Sequence, residues 1–194
     1  MRVSRAQAEA NREAVINAAS RLFRENGFDG IGLKDLMKGA GLTQGGFYKQ
    51  FKSKDDLAAL ASRRAMESAT RRWSSVAAAS SDPLRAFVDF YLSEGHREET
   101  SDGCPLVALG SDAARQSPEV RAPFQDGIKA HLQILQELMP EGGQTDANEK
   151  AKVALALMVG AVTLSRIVTD QDLSANMLEA AAKEVMRLAH SKEA

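Results

Sequence analysis

Apolar residues recur along this chain every three or four positions, the spacing that places side chains on one face of an α-helix. In residues 11–26 this pattern puts Val15, Ala19 and Phe23 on one face, and Gly27 then ends the segment. No strand candidate remains once the helices are assigned, so the predicted fold class is all-α with about nine helices. The predicted helices cover residues 11–26, 33–40, 44–51, 54–79, 83 to about 96, 105 onwards, 118–139, 147–169 and 173–190.

Residues at the predicted helix ends support these boundaries. Ser53 is a suitable N-cap for the long fourth helix, and two carboxylates in its first turn complement the helix dipole. Pro105 and Pro118 stand where a first helical residue is expected. A Gly-rich loop is predicted at 141–146, before two strongly apolar helices.

The composition fits a helical protein and excludes several classes. Hydrophobic residues make up 44% of the 194 positions and aromatic residues only 5%. No run of about 18 apolar residues is present, so no membrane span or membrane partner is predicted. A single cysteine excludes an intrachain disulfide framework. The basic N-terminus leads into polar residues rather than an apolar signal core, and the predicted location is the cytoplasm.

The charge is distributed unevenly. Residues 1–73 contain 14 Lys/Arg and 8 Asp/Glu, a net charge of +6, whereas residues 74–194 contain 11 and 18, a net charge of −7. Basic charge supplies the sequence-independent part of DNA affinity. The asymmetry therefore predicts two domains with different partners.

The segment 41–51, which reads GLTQGGFYKQF, is the most informative about function. It follows the short second helix and a chain reversal that Gly41 permits. Gly45 and Gly46 inside a short helix each cost about 1 kcal/mol relative to Ala. Two glycines are understandable if this backbone lies against another molecule, such as the walls of a DNA major groove. The segment therefore predicts a helix-turn-helix recognition element.

The same region resembles the TetR family of transcriptional regulators, and in particular its AcrR-like members. Two positions depart from the family pattern: Gly32 stands where Thr or Ser usually caps the second helix, and Met37 replaces a small residue. The matching positions are Arg12, the run 18–23, Gly27-Phe28, Ala40-Gly41-Leu42-Thr43, Phe47-Tyr48, Phe51, Ser53-Lys54 and Leu57.

This resemblance implies a domain organisation and a function. Residues 1–53 would form the DNA-binding domain, the helix 54–79 would link the two parts, and residues 54–194 would form a helical ligand-binding and dimerisation domain. The implied protein is a repressor that binds a palindromic operator in double-stranded DNA as a homodimer. A small-molecule effector or an electrophile would release it.

Several side chains of the recognition element are predicted to contact DNA. An amide such as that of Gln44 can pair bidentately with adenine, and Thr43 can donate to a phosphate as well as cap the helix. Phe47 is expected to anchor the helix in the core, while the resemblance implies that Tyr48 contacts a phosphate. The full predicted DNA-binding set is Lys34, Thr43, Gln44, Gly45, Gly46, Tyr48, Lys49 and Lys54.

The C-terminal part supplies candidates for a dimer interface and for a ligand pocket. The apolar residues of the last two helices could instead be ordinary core, and so could the pocket candidates. The predicted interface residues are Leu155, Val159, Val162, Leu178 and Val185. The predicted ligand-binding residues are Met66, Phe87, Tyr91, Cys104, Leu106, Phe124 and Met158.

Cys104 could carry a specific chemistry. It directly precedes Pro105, and a helix N-terminus lowers the pKa of a thiol and makes it more reactive. The Gly103-Cys104 pair also resembles one found in some TetR-like repressors that sense electrophiles. The alternative is a small buried side chain at a helix start.

Two other functions stay open. One is a thiol enzyme that pairs Cys104 with His131, and the other is a helical small-molecule-binding module whose helix-turn-helix is inactive. The three histidines lie far apart and show no metal-ligand spacing, and no phosphate-binding glycine loop is present. No enzymatic activity, metal or cofactor is therefore predicted.

Overall fold

A computed structural model describes residues 4–139 and 144–191. All regular secondary structure in these residues is helical, which confirms the all-α prediction. The helices are α1 (Arg5–Asn26), α2 (Leu33–Gly39), a 3₁₀ helix (Gln44–Lys49), α3 (Lys54–Ala78), α4 (Pro83–Tyr91), α5 (Glu94–Glu98), α6 (Pro105–Ala113), α7 (Pro118–Leu138), α8 (Gln144–Ile167) and α9 (Gln171–His190).

The structure corrects four boundaries. Helix α1 begins six residues earlier than predicted, because the Ser4 hydroxyl accepts from the Gln7 N–H at 3.1 Å and caps it. The segment predicted as a helix over 83–96 divides in two, since Ser93 caps a separate α5. The third helix is a 3₁₀ helix that ends at Lys49. The predicted loop at 141–146 lies partly outside the described residues, and from residue 144 the chain belongs to α8.

Two hydrophobic clusters organise the molecule. The first cluster joins α1, α2, the 3₁₀ helix and the start of α3, and we call these four elements the head. Phe23, Leu36 and Phe47 are buried members of this cluster. It also includes Leu109 and Phe124 of α6 and α7, so the head packs directly on the rest of the chain. The second cluster contains the end of α3 with parts of α4, α7, α8 and α9. A division at residue 53 stays a prediction.

Helix α3 contributes to both clusters and packs along α7. Its Met66 belongs to the first cluster and its Trp73 to the second. A Cβ atom added at Gly127 of α7 would lie 2.1 Å from the Met66 Cε, so glycine permits a close approach of the two helices. Any motion of α3 relative to α7 is therefore expected to move the head.

No helix within the described residues is both long enough and apolar enough to cross a membrane.

Candidate functional site

The recognition segment is attached to the head by its backbone and by one aromatic side chain. Gly41 adopts a φ of 71°, which reverses the chain after α2. The Leu42 N–H then donates to the Met37 carbonyl at 2.9 Å. Phe47 is completely buried, and its ring centroid lies 5.4 Å from that of Phe51. The predicted role of Phe47 as the anchor of this helix is confirmed.

The opposite face of the 3₁₀ helix points to solvent. Gln44, Tyr48 and Lys49 are exposed, and 75% of the Tyr48 surface is accessible. Thr43 occupies the N-cap position, but its side chain makes no capping hydrogen bond, which corrects that part of the prediction. Its exposed hydroxyl can therefore donate to a phosphate.

The fold itself does not require the two glycines of this segment. A Cβ atom at Gly45 would have no neighbour within 4 Å, and one at Gly46 would meet only the Met37 Cε, at 3.8 Å. Neither glycine adopts a positive φ. Internal packing and backbone strain thus leave the glycines unexplained, whereas an approaching macromolecule would account for them.

Lys34 and Lys54 lie on the two helices that flank the 3₁₀ helix. Lys34 is exposed in the first turn of α2, and Lys54 is the half-buried first residue of α3. The Ser53 hydroxyl caps α3 by accepting from the Asp56 N–H at 3.0 Å. Helix N-termini with nearby lysines favour anions.

The predicted ligand-binding residues fall into two groups. Met66 and Phe124 belong to the first cluster, and Leu106 packs against both clusters. The structure therefore does not bring all seven together. The four that share the second cluster are Phe87, Tyr91, Cys104 and Met158.

The centre of the second cluster is a stacked pair absent from the predicted site. The ring of Trp73 stacks on that of His131 with centroids 3.8 Å apart, and Tyr91 meets Trp73 edge-on at 5.2 Å. Burial lowers the pKa of His131 to about 4, so the imidazole is neutral at pH 7. A lone histidine between alanine and leucine gave no sequence signal for this contact.

Of the two interpretations of Cys104, the structure favours the small buried side chain at a helix start over the activated thiol. Cys104 is the N-cap residue of α6, as expected, but it is only 2% exposed. Burial raises the pKa of the thiol, because desolvation outweighs the neighbouring groups that stabilise a thiolate. The Cys104 N–H donates to His96 Nε2 at 3.0 Å, while both nitrogens of His131 lack a described partner. No Cys104–His131 hydrogen bond supports the thiol-enzyme alternative.

Three arginines from three helices converge on α5 and on the loop that joins it to α6, and sequence reasoning missed them. Arg24 of α1 donates to the Asp102 carboxylate at 3.0 Å and to the Gly103 carbonyl at 3.2 Å. Arg72 of α3 donates to the Asp102 carbonyl at 3.1 Å. Arg166 of α8 donates to the carbonyls of residues 96, 97 and 99. This loop therefore connects the head to α3 and α8.

The predicted interface residues lie mainly inside the protomer. Leu155, Val162, Leu178 and Val185 are at most 7% exposed, and Val159 is half-buried. The first four belong to the second cluster and cannot face a partner in this conformation. A different apolar stripe of α8 faces outwards at helical spacing. It consists of Val153, Leu157, Gly160, Leu164 and Ile167, with Val153, Leu164 and Ile167 exposed by 53%, 48% and 69%.

Within residues 4–139 and 144–191, no group of three or more His, Cys, Asp or Glu side chains is arranged to hold a metal ion.

Comparisons with known proteins agree with this geometry. Residues 15–61 match the family described as bacterial regulatory proteins, tetR family, and residues 80–184 match the LmrA/YxaF-like C-terminal domain of transcriptional regulators. The HTH-type transcriptional regulator LmrA of Bacillus subtilis (strain 168) is 26% identical over 161 residues, which cover 80% of this chain and 86% of LmrA. The HTH-type transcriptional repressor NemR of Escherichia coli (strain K12) is 23% identical over 167 residues, covering 80% and 84%.

A solved structure extends the match to the fold. The crystal structure of a TetR transcriptional regulator from Chloroflexus aurantiacus J-10-FL is 28% identical with a TM-score of 0.77, covering 94% of this chain and 95% of that one. The C-terminal match alone spans more than half of the 194 residues. The chain therefore belongs to the TetR family of helix-turn-helix transcriptional regulators.

Proposed function

We propose that this regulator is a repressor, which binds a palindromic operator as a homodimer and leaves it when a small molecule binds. The observation that carries the proposal is the exposed face formed by Gln44, Gly45, Tyr48 and Lys49, on a helix anchored by the buried Phe47. The choice of repression over activation rests on the similarity to NemR, which is named a repressor.

The residues of this face have different roles in the proposal. Gln44 reads a base edge in the major groove, and Gly45 and Gly46 let the backbone approach the DNA. Thr43 and Tyr48 donate hydroxyl hydrogens to phosphates, whereas Lys34, Lys49 and Lys54 contribute charge. Residues 1–53 thus act as the DNA-binding domain, and residues 54–194 as the effector and dimerisation domain.

A homodimer is proposed because one such module reads only a short sequence. Two modules related by a two-fold axis read two half-sites about one helical turn of DNA apart or more. The outward stripe of α8, from Val153 to Ile167, supports an interface there, since exposed apolar residues at this spacing suit helix–helix packing. A dimer that binds DNA in this way works in the cytoplasm and needs no catalytic site or cofactor.

Release by a non-covalent ligand is favoured over thiol modification. Cys104 is buried and its pKa is raised, so the reactive thiolate is scarce at pH 7. A ligand that binds one arrangement of α3 more tightly than another would shift the distance between the two recognition helices. The coupling free energy needed is on the order of 1–3 kcal/mol.

The salt dependence of operator binding tests the DNA-binding proposal. The logarithm of the association constant should fall linearly with the logarithm of the salt concentration, because phosphate contacts release counterions. Lys49→Ala and Lys54→Ala should each reduce this slope by about one unit. Asp126→Asn, on the exposed surface of α7, serves as the control and should leave it unchanged. DNA binding that does not depend on the salt concentration would instead favour a ligand-binding module with an inactive helix-turn-helix.

A further inference from the structure

The imidazole of His96, in α5, bridges the end of α4 and the start of α6. It is buried, with 7% of its surface exposed. Its Nε2 accepts from the Cys104 N–H at 3.0 Å, and its Nδ1 lies 2.6 Å from the Tyr91 carbonyl oxygen. Because a carbonyl oxygen only accepts, Nδ1 carries the ring proton and donates it, whereas Nε2 has none. The two hydrogen bonds therefore require a neutral imidazole in one tautomer.

The loop that this imidazole holds, residues 99–104, is also the segment to which the head is tied. Arg24 of α1, whose side chain is only 3% exposed, donates to the Asp102 carboxylate and to the Gly103 carbonyl. The loop is tightly closed, since a Cβ atom at Gly103 would lie 2.2 Å from the Glu99 carbonyl oxygen. The position of both partners of Arg24 thus depends on the closed form of this loop.

A second proton on His96 is incompatible with the closed loop. A protonated Nε2 would direct its own N–H at the Cys104 N–H, and two donors cannot form a hydrogen bond. The resulting cation would also be buried, near Arg166 of α8 and Arg72 of α3. Burial is the main cause that lowers the pKa of His96, and the charges of these two arginines lower it further. Protonation therefore requires the ring to move away or the loop to open.

The other titratable groups that face His96 keep their charge between pH 7.5 and pH 5. Tyr91 and Cys104 stay protonated, because burial raises the pKa of each side chain. Glu99 stays ionised, because hydrogen bonds lower its pKa, first that from the Asp102 N–H. The neighbouring arginines remain cations throughout this range. A response of the loop to pH in this range thus originates at His96.

We propose that His96 is a proton-operated latch between the head and the rest of the molecule. The neutral ring closes the 99–104 loop onto Arg24, and the protonated ring opens the loop and releases Arg24. This inference rests on the proposed function. A released head samples more orientations, so two recognition helices are less often placed to bind both half-sites of an operator. The regulator therefore leaves its operator when the pH falls, without any small molecule.

Operator affinity of the full-length protein at pH 7.5 and pH 5 measures this response. The wild type should lose at least about fivefold in affinity at pH 5, the lower end of typical couplings between sites. His96→Gln offers the Cys104 N–H an acceptor that does not titrate, so its loss should stay below about twofold. His131→Phe and His190→Gln are the matched controls and should respond like the wild type. His131 has a pKa of about 4 and is still mostly neutral at pH 5.

Asp102→Asn tests the connection to the head and is readily tolerated, since the Asp102 side chain is half exposed. This variant weakens the attachment of Arg24, so it should bind the operator more weakly at pH 7.5 and respond little to pH. Equal losses of affinity in the wild type and in His96→Gln would overturn the latch. A pH response that persists in His96→Gln but disappears in Asp102→Asn would assign the titration to the carboxylate, and would overturn it too.

An NMR titration of the ¹⁵N-labelled wild type without DNA tests the latch independently of operator binding and of the folding of any variant. The ring nitrogens of His96 should show the Nδ1–H tautomer at pH 7.5 and protonation towards pH 5, and the Cys104 amide resonance should shift over the same range. An imidazole that stays neutral at pH 5, or a Cys104 amide that does not respond, would overturn the latch and leave the proposed function standing. Wild-type protein that binds no operator at pH 7.5 would overturn that function instead.

Discussion

At the scale of single residues, two neighbours in the chain show how burial divides structural from functional roles. Phe47 is completely buried in the head, whereas 75% of the adjacent Tyr48 is exposed. Their rings meet edge-on at 5.1 Å, so the buried ring supports the exposed one. The exposed side chains of this helix are therefore available for DNA without any cost to the core.

Gln44 and Tyr48 should respond differently to substitution. Gln44→Ala removes the proposed base contact and should lower discrimination by about 1–3 kcal/mol at particular base pairs. Tyr48→Phe removes a phosphate contact and should weaken binding to all sequences alike. Affinities for the operator and for single-base variants of it distinguish the two. Equal loss of specific and non-specific binding in Gln44→Ala would contradict its role as a reader.

His131 should make the stability of the protein depend on pH. Its pKa is about 4 in the folded state, below the ordinary value, so the unfolded state binds more protons as the pH falls. The contribution of the neutral imidazole to the free energy of unfolding is therefore present above about pH 6.5 and is lost as the pH falls towards 4. Between pH 7.5 and pH 5 the free energy of unfolding should decrease by about 2 kcal/mol. Burial also lowers the pKa of His96, which adds an effect of the same sign.

Urea unfolding at pH 7.5 and pH 5 measures this dependence. His131→Leu should reduce the change in unfolding free energy between the two pH values. His190→Gln is the matched control, because His190 is exposed at the end of α9. An unaltered pH dependence in His131→Leu would show that its imidazole is not buried and neutral.

At the scale of elements, the recognition helix is shorter and tighter than the sequence pattern indicates. It is a 3₁₀ helix of six residues rather than an α-helix that reaches Phe51. Two adjacent glycines disfavour a regular α-helix, and the buried Phe47 and Phe51 fix the turn instead. The element therefore depends on the head for its conformation.

Gly45→Ala should separate stability from function. Alanine has room at this position and lowers the entropy of the unfolded chain, so the protein should gain about 0.5–1 kcal/mol of stability. The added methyl group should nevertheless weaken operator binding, because Gly45 belongs to the face proposed to contact DNA. Gly41→Ala is the contrasting control and should destabilise the protein, since Gly41 has a φ of 71°. Unchanged operator affinity in Gly45→Ala would remove the argument for close backbone approach.

The elements also show what the sequence could predict. The helical period and the local spacing of 41–51 indicated the fold and the recognition element, because both depend on residues close in the chain. The sequence alone could not distinguish the inner face of α8 from its outer face, because apolar residues occupy both faces. The burial of Cys104 and the Trp73–His131 stack depend on contacts between distant helices. A helix-start rule therefore gave the wrong direction for the Cys104 pKa.

At the scale of the whole molecule, one polar loop and one long helix connect the head to the second hydrophobic cluster. Arg24 is a nearly buried cation whose partner Asp102 belongs to the loop before α6. Helix α3 runs from the head to the second cluster. Helix α8, whose Arg166 donates to the Glu99 carbonyl in the same loop, carries the proposed interface. We therefore expect a rearrangement in the second cluster to reach the head by two physical routes.

The α8 stripe should control association. Leu164→Glu places a charge among exposed apolar residues and should convert the dimer to a monomer, as measured by light scattering. Operator affinity should fall because the half-sites are no longer bound together. Leu155→Ala, at a core position that is only 7% exposed, should instead lower thermal stability without changing the mass. A Leu164→Glu protein that remains dimeric would place the interface elsewhere.

We expect this chain to act as a dimeric regulator that reads a specific DNA sequence. The most direct measurement is selection of bound fragments from a random DNA pool at about 150 mM salt, near physiological ionic strength. One palindromic motif should be enriched, and Gln44→Ala should lose the preference at defined positions of that motif. Folded protein that enriches no motif would contradict this expectation.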